Sequence, residues 1–344
     1  MSAPIRWHGN RALPAVASLM GAAPAMADPI GDAAKKLTDA AYPLMKEVKW
    51  DSYVYNLKPG GSATAGDWAK AVDKAIEMGA AMDPKLLKAG VQAHHKAIGS
   101  LNGNNLVLSK ADFESINAAI GRMIASVPES KTMAVYDAFS ALVGADVPAY
   151  LMSTVNEADA KKAYGALMDF KDAVKANPIT ATAPETPAAL SGKLGAIDGA
   201  AAKLSAASYP FIQSVDWSSD LYSRPLPGAS PLAITKAIDK ALVMGASIDS
   251  KLLKEAAEAH HKALNGMDSK LVATQADYTA VNAALGKVFA SVPTSQVMDT
   301  YNAFAKLVDG SVPAKLFSGV NPSEAVRSYD ALVEFASVVK AAQR

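Results

Sequence analysis

The chain has 344 residues, half of them hydrophobic and only 7% aromatic, with 70 alanines supplying much of the apolar count. Lys and Arg (34) balance Asp and Glu (33), so there is no cationic surplus with which to displace counterions from a nucleic acid. The absence of cysteine excludes disulfides, thiolate zinc sites, iron–sulfur clusters and a cysteine nucleophile.

The N-terminal segment, residues 1–27, reads as a targeting leader. Arg6 and Arg11 precede an apolar stretch, Ala12 to Ala27, which Pro14 and Pro24 interrupt, and no acid occurs before Asp28. The stretch is shorter than the roughly 20 residues of a membrane span, and Ala25-Met26-Ala27 is an A-x-A cleavage site. The mature chain is expected to begin at Asp28.

From Asp28 onward the chain is a duplication. Tyr42-Pro43 recurs as Tyr209-Pro210, and Trp50 as Trp217. Lys85-Leu86-Leu87-Lys88 through His94-His95-Lys96-Ala97 recurs as Lys251-Leu252-Leu253-Lys254 through His260-His261-Lys262-Ala263. Asn117-Ala118-Ala119 matches Asn282-Ala283-Ala284, and Ser126-Val127-Pro128 matches Ser291-Val292-Pro293. The expected organisation is a first helical repeat over 28–177, a Pro/Thr/Ala-rich linker over 178–190 and a second repeat over 191–344. That length suits two domains.

Within each repeat the punctuation is helical. Asp83-Pro84 is an N-cap followed by proline at the first helical position, and Asn321-Pro322 starts the last helix the same way. Ser109 with Asp112, and Thr274 with Asp277, have capping-box spacing. Gly79 and Gly245 fit helix C-termini. Strand patterns are missing, so the spacing predicts an all-α fold of two pseudo-symmetric halves, with seven or eight short helices in each.

On the helix around His94, Leu87, Val91, His94 and Ile98 share an apolar face, while Lys88, Gln92 and His95 share a polar one. The second repeat places Leu253, Ala257, His260 and Leu264 inward, with Lys254, Glu258 and His261 toward water. Adjacent side chains diverge by about 100° on a helix, so neither histidine pair is expected to act jointly on one metal. A histidine on an apolar stripe is more often a satisfied core residue than a ligand. The alanine-rich faces also allow two outcomes: thin helices approach closely, the commoner one, or frame a cavity filled by a bulky apolar ligand.

The usual catalytic motifs, H-E-x-x-H, G-x-S-x-G, the P-loop and G-x-G-x-x-G, do not occur. The carboxylates read as solvated polar faces. An enzyme is not expected.

Several long segments resemble the peridinin–chlorophyll a-binding proteins of dinoflagellates, in their long, duplicated form. They are residues 30–37, Asp83-Pro84-Lys85-Leu86-Leu87-Lys88, residues 93–100, residues 115–122, Ser126-Val127-Pro128-Glu129 and Val147-Pro148-Ala149-Tyr150. The resemblance implies a boat-shaped helical shell around pigments. Each half holds a chlorophyll a among several peridinins, with lipid, a galactolipid among the candidates. It implies that His94 and His260 reach the chlorophyll magnesium through a water, with no direct protein–metal bond. It places Asn117 and Asn282 in a polar pocket beside a peridinin, although either amide can equally bond a neighbouring backbone group. Trp50, Trp217, Tyr136 and Tyr301 resemble family aromatics that line the pocket, although core packing suits each of them nearly as well.

The implied function is a soluble light-harvesting antenna of the plastid thylakoid lumen, passing excitation from peridinin to chlorophyll a and on to a membrane antenna or photosystem. The leader is short for a multi-membrane plastid signal, which implies a further upstream portion. A homo-oligomer is compatible with the sequence, and a nucleic-acid partner is not. Two other readings share the helical shell: a non-photosynthetic carrier of lipid or carotenoid, and an interaction scaffold with a dry alanine-packed core.

Overall fold

The computed structural model describes residues 28–48, 65–101, 107–142, 150, 152–181, 194–215, 231–265, 273–307 and 317–343. The leader, Trp50, Trp217, Val147-Pro148-Ala149 and residues 182–193 of the linker region lie outside them. Among the described residues there are twelve helices and no strand.

The first repeat contributes α1 (Pro29–Glu47), α2 (Ala65–Ala81), α3 (Pro84–Gly99), α4 (Lys110–Ala125), α5 (Glu129–Leu142) and α6 (Glu157–Ala176). The second contributes α7 (Gly195–Ser214), α8 (Pro231–Gly245), α9 (Ser250–Asn265), α10 (Gln275–Ala290), α11 (Thr294–Ala305) and α12 (Pro322–Ala342). Six described helices per repeat is fewer than the seven or eight expected, and any further ones fall outside the described residues.

The predicted caps start their helices. Asp83 accepts from the N–H groups of Lys85 and Leu86 at 2.9 and 3.0 Å, satisfying donors that α3 leaves unpaired. Ser109 and Thr274 accept from the N–H of Asp112 and Asp277 at 3.1 and 3.2 Å. The acid at the third position takes the cap's own hydroxyl proton, at 2.7 and 2.6 Å. Asn321 accepts from Ser323 N–H at 2.9 Å. Gly245 ends α8 as expected, but Gly79 does not end α2. The helix runs on to Ala81, and the Met82 N–H then closes back on the Gly79 carbonyl at 3.2 Å.

Close approach accounts for part of the alanine content. α1 packs on α4 and α6 through Ile30, Ala33, Ala34 and Leu37, against Ala125, Phe170 and Val174. α7 repeats this against α10 and α12 through Ile197, Ala200, Ala201 and Leu204, against Phe335 and Val339. Gly121 and Gly286 set the distance. A Cβ at Gly121 would lie 2.7 Å from Ile30 and Phe170, and one at Gly286 2.6 Å from Ile197 and Phe335. Tyr42 and Tyr209 tether α1 and α7 to the segments before α4 and α10, donating to the carbonyls of Leu108 and Ala273 at 2.9 Å.

The repeats are not independent bodies side by side. α2 packs on α5 within its own repeat and on α9 of the other, and α8 packs on α11 and on α3. Leu232 of α8 is buried against Ile98 and Leu101, completing an apolar cluster that neither repeat forms alone.

Candidate functional site

The reciprocal contacts of α2 with α9 and of α8 with α3 carry the polar centre of each half. Asp73 on α2 and Asp239 on α8 are 2% and 3% exposed. This corrects the expectation that the carboxylates sit on solvated faces. Asp239 meets both histidines of the first repeat: His94 Nδ1 is 3.0 Å from Oδ1 and His95 Nδ1 is 2.6 Å from Oδ2. Asp73 does the same in the second repeat, with His260 Nδ1 at 2.9 Å and His261 Nδ1 at 2.7 Å.

The face assignment holds in part for His94 and His260: Val91, Ile98, Ala257 and Leu264 on their stripe are buried, while Leu87, Leu253 and the two histidines themselves are half-buried. It fails for the partners. His95 and His261 lie toward the polar side, but each is engaged by a buried carboxylate. The angular divergence of adjacent helical positions does not keep the pair apart, because the aspartate arrives between the two rings and offers one oxygen to each.

An ionised carboxylate can only accept, so each of these contacts places a proton on Nδ1; in the neutral imidazole that leaves the lone pair on Nε2. His261 Nε2 lies 3.2 Å from the Asn265 amide nitrogen, which donates to it. Among the described residues no partner engages Nε2 of His94 or His260.

The two centres differ in their surroundings. Glu77 lies 3.2 Å from His261 Nδ1, and the ammonium of Lys74 is 3.2 Å from Glu77. Asp73, Glu77 and His261 bring their donor atoms within 4.8 Å of one another, a spacing at which a cation could be held. By the repeat, Val243 and Gly99 stand where Glu77 and Asn265 stand, so the first centre has neither group. A mixed-charge cleft of about 620 Å³ beside the second centre is lined by Glu77, Lys254, Glu258, His261, Lys262 and Asn265 among others.

The asparagines also hold matched places, and their partners are side chains. Asn117 donates to Thr38 Oγ1 on α1 at 3.3 Å, and Asn282 to Ser205 Oγ on α7 at 3.2 Å. Both hydroxyl residues are fully buried. Each amide thus uses its N–H on a neighbouring helix, and its Oδ1 has no partner among the described residues.

Large apolar side chains are exposed in register. Val72, Ile120, Met133, Tyr136, Met152, Tyr164 and Leu167 are exposed, and so are their repeat counterparts Ile238, Leu285, Met298, Tyr301, Phe317, Tyr329 and Leu332. Tyr136 and Tyr301 are each 65% exposed. Isolated exposed apolar residues need no explanation, but here seven pairs are exposed at equivalent positions of the two repeats. The indole N–H of Trp68 on α2 is buried with no hydrogen-bond partner among the described residues.

Sequence reasoning missed Asp73 and Asp239. Their one trace in the sequence is the repeat itself, since Lys70-Ala71-Val72-Asp73-Lys74 recurs as Lys236-Ala237-Ile238-Asp239-Lys240, but an aspartate between lysines reads as surface.

Fold and site together define an all-helical protein of two matched halves, each with an aspartate–histidine pair cluster and exposed apolar side chains. The chain matches the family model described as peridinin-chlorophyll A binding protein over residues 28–174 and 195–339, and it belongs to that family. It is 52% identical, over 98% of its length and 91% of the relative's, to the chloroplastic peridinin-chlorophyll a-binding protein of Symbiodinium sp.. It is 52% identical to peridinin-chlorophyll a-binding protein 1, chloroplastic, of Amphidinium carterae, over 95% of its length and 88% of the relative's. A solved structure, the high-salt form of peridinin-chlorophyll a protein, superposes with a TM-score of 0.74 at 30% identity, covering 90% of this chain and 99% of that one.

Proposed function

We propose that the chain is a light-harvesting antenna of the plastid that binds peridinin and chlorophyll a in both halves and catalyses no reaction. The observation that carries this reading is a histidine, repeated in both halves, whose Nδ1 is tied to a buried carboxylate and whose Nε2 has no partner among the described residues. A magnesium-bound water requires such an acceptor, since the water O–H donates the hydrogen bond and the neutral imidazole Nε2 accepts it. The residues fit the pigments in two further respects. The exposed apolar side chains would give a large conjugated ligand its lining, and Asn117 and Asn282 offer a carbonyl dipole, without a partner among the described residues, beside paired alanines. When bound, peridinin absorbs blue-green light and its excitation passes to chlorophyll a and on to a membrane antenna or photosystem.

The chain's own part is geometric. His94 and His260 anchor one macrocycle each, the apolar pairs including Tyr136 and Tyr301 keep water from the conjugated chains, and the shared helix packing fixes the separation between halves. Galactolipid fits the same apolar lining. We place the protein in the thylakoid lumen on the strength of the Ala25-Met26-Ala27 leader, beside relatives named chloroplastic. Among the described residues no helix is long and apolar enough to cross a membrane.

Reconstitution of the full chain with peridinin and chlorophyll a, followed by absorption and fluorescence excitation spectra, tests the reading. The expected result is chlorophyll emission excited through the peridinin band. Uptake of colourless lipid alone would favour a carrier, and no uptake would favour a scaffold.

A further inference from the structure

Asp73 and Asp239 stand outside the apolar lining, yet each is buried with both oxygens engaged. A buried carboxylate is tolerated only when donors replace its water. Each here is served by two Nδ1–H groups from one histidine pair, at 2.6 to 3.0 Å, and the pair belongs to the other repeat. Two contacts on one rigid carboxylate hold the ring plane of the inner histidine as well as its tautomer. Without the acceptor on Nδ1, the imidazole is free to carry its proton on either nitrogen.

We propose that Asp73 and Asp239 are positioning residues for the pigment site of the opposite repeat. Asp239 keeps His94 Nε2 unprotonated and aimed as an acceptor, and Asp73 does the same for His260. His95 and His261 are the second arms that occupy the remaining oxygen and stop the carboxylate from turning. Each pigment site is then built from residues 145 or 187 positions apart in sequence, and neither repeat completes its own. The proposal rests on His94 and His260 as the pigment histidines.

The test uses the full chain reconstituted with both pigments and isotope-labelled at the histidine nitrogens. Proton–nitrogen correlation NMR reads the tautomer of each ring, and the low-temperature red absorption band reads the chlorophylls. In the unaltered chain His94 and His260 are expected as Nδ1–H. Asp239→Asn should change the signals of His94 and His95 alone and weaken chlorophyll retention in the first half about tenfold, the lower end of what loss of such outer partners costs. Asp73→Asn should do the same for His260 and His261. An Nε2–H tautomer at His94 or His260 in the unaltered chain overturns the proposal and requires no variant to fold. His94→Leu distinguishes the two levels of the account. If it leaves the red band unshifted, the pigment assignment falls and the proposal with it. If it removes one band component while Asp239→Asn leaves band and tautomers unchanged, the proposal alone falls.

Discussion

The first repeat begins α1 with a charged cap and the second begins α7 without one. Asp28 accepts from Gly31 N–H at 3.0 Å and pairs with Arg122 on α4. By the repeat Gly195 stands where Asp28 stands; Leu194, at the cap position of α7, offers no side-chain cap, and the link from α7 to α10 passes instead through Asp198 and Lys287 at 2.7 Å. Glu77 and Asn265 beside the second histidine pair likewise become Val243 and Gly99 beside the first. Deeper in, the halves barely differ. The histidine–aspartate distances agree within 0.1 Å, 3.0 and 2.6 Å against 2.9 and 2.7 Å. The asparagine–hydroxyl bonds, the tyrosine tethers and the glycine contacts also recur. The duplicated sequence has drifted at helix ends and rims, and it has kept the groups that touch both the opposite repeat and the inner surface.

The largest expected effect falls on what both halves share. Gly121→Val and Gly286→Val would each drive a branched side chain into an isoleucine and a phenylalanine already at contact distance. Overpacking of this kind costs about 1–3 kcal/mol, and the two variants should lose similar stability in denaturant titrations. A loss confined to one half would break the equivalence.

The next effect concerns the outer histidines. A polar-face reading makes their replacement silent, but His95→Leu strips a buried carboxylate oxygen of its donor. The expected cost is about 1–3 kcal/mol, and His261→Leu, which also removes the Asn265 and Glu77 contacts, should cost at least as much, measured by unfolding and by chlorophyll retention. A smaller change, about 1 kcal/mol, is expected from Asn117→Leu and Asn282→Leu, which strand the buried Thr38 and Ser205 hydroxyls. If the amide oxygen also faces a peridinin, one component of the peridinin band moves in each variant.

The smallest effect should be one-sided and pH-dependent. The Gly31 N–H, and then the Arg122 guanidinium, hold the Asp28 carboxyl below its ordinary value. A carboxyl lowered in the folded state adds stability above its unfolded pKa of 3.8 and loses it as pH falls through the lower, folded value. Asp28→Ala should remove roughly 1 kcal/mol at neutral pH, less whatever solvent screening takes from so exposed a pair. It should also abolish that acid-dependent step, with no counterpart at Leu194.

How far the sequence reveals this depends on distance along the chain. The caps at Asp83, Ser109, Thr274 and Asn321 are local and were legible, as were the repeat and, in part, the inward face of His94 and His260. Gly79 misled, because a glycine near a helix end is a weak stop signal when the next residues, Ala80 and Ala81, favour the helix. The partners of His95 and His261 were not legible, because they lie 144 and 188 residues away on the other repeat. No helical periodicity encodes a contact of that range. An aspartate with lysine beside it reads as surface until a packed helix covers it. The asparagine partners were missed for a similar reason, since Thr38 and Ser205 are separated from them by 79 and 77 residues.

The most direct measurement is the chlorophyll content of the reconstituted full chain and of its His94→Leu, His260→Leu and doubly substituted forms, by pigment extraction and red absorption. The account predicts that each single substitution loses or displaces the chlorophyll of its own half and that the double substitution affects both. Undiminished, spectrally unchanged chlorophyll in all three variants would contradict it.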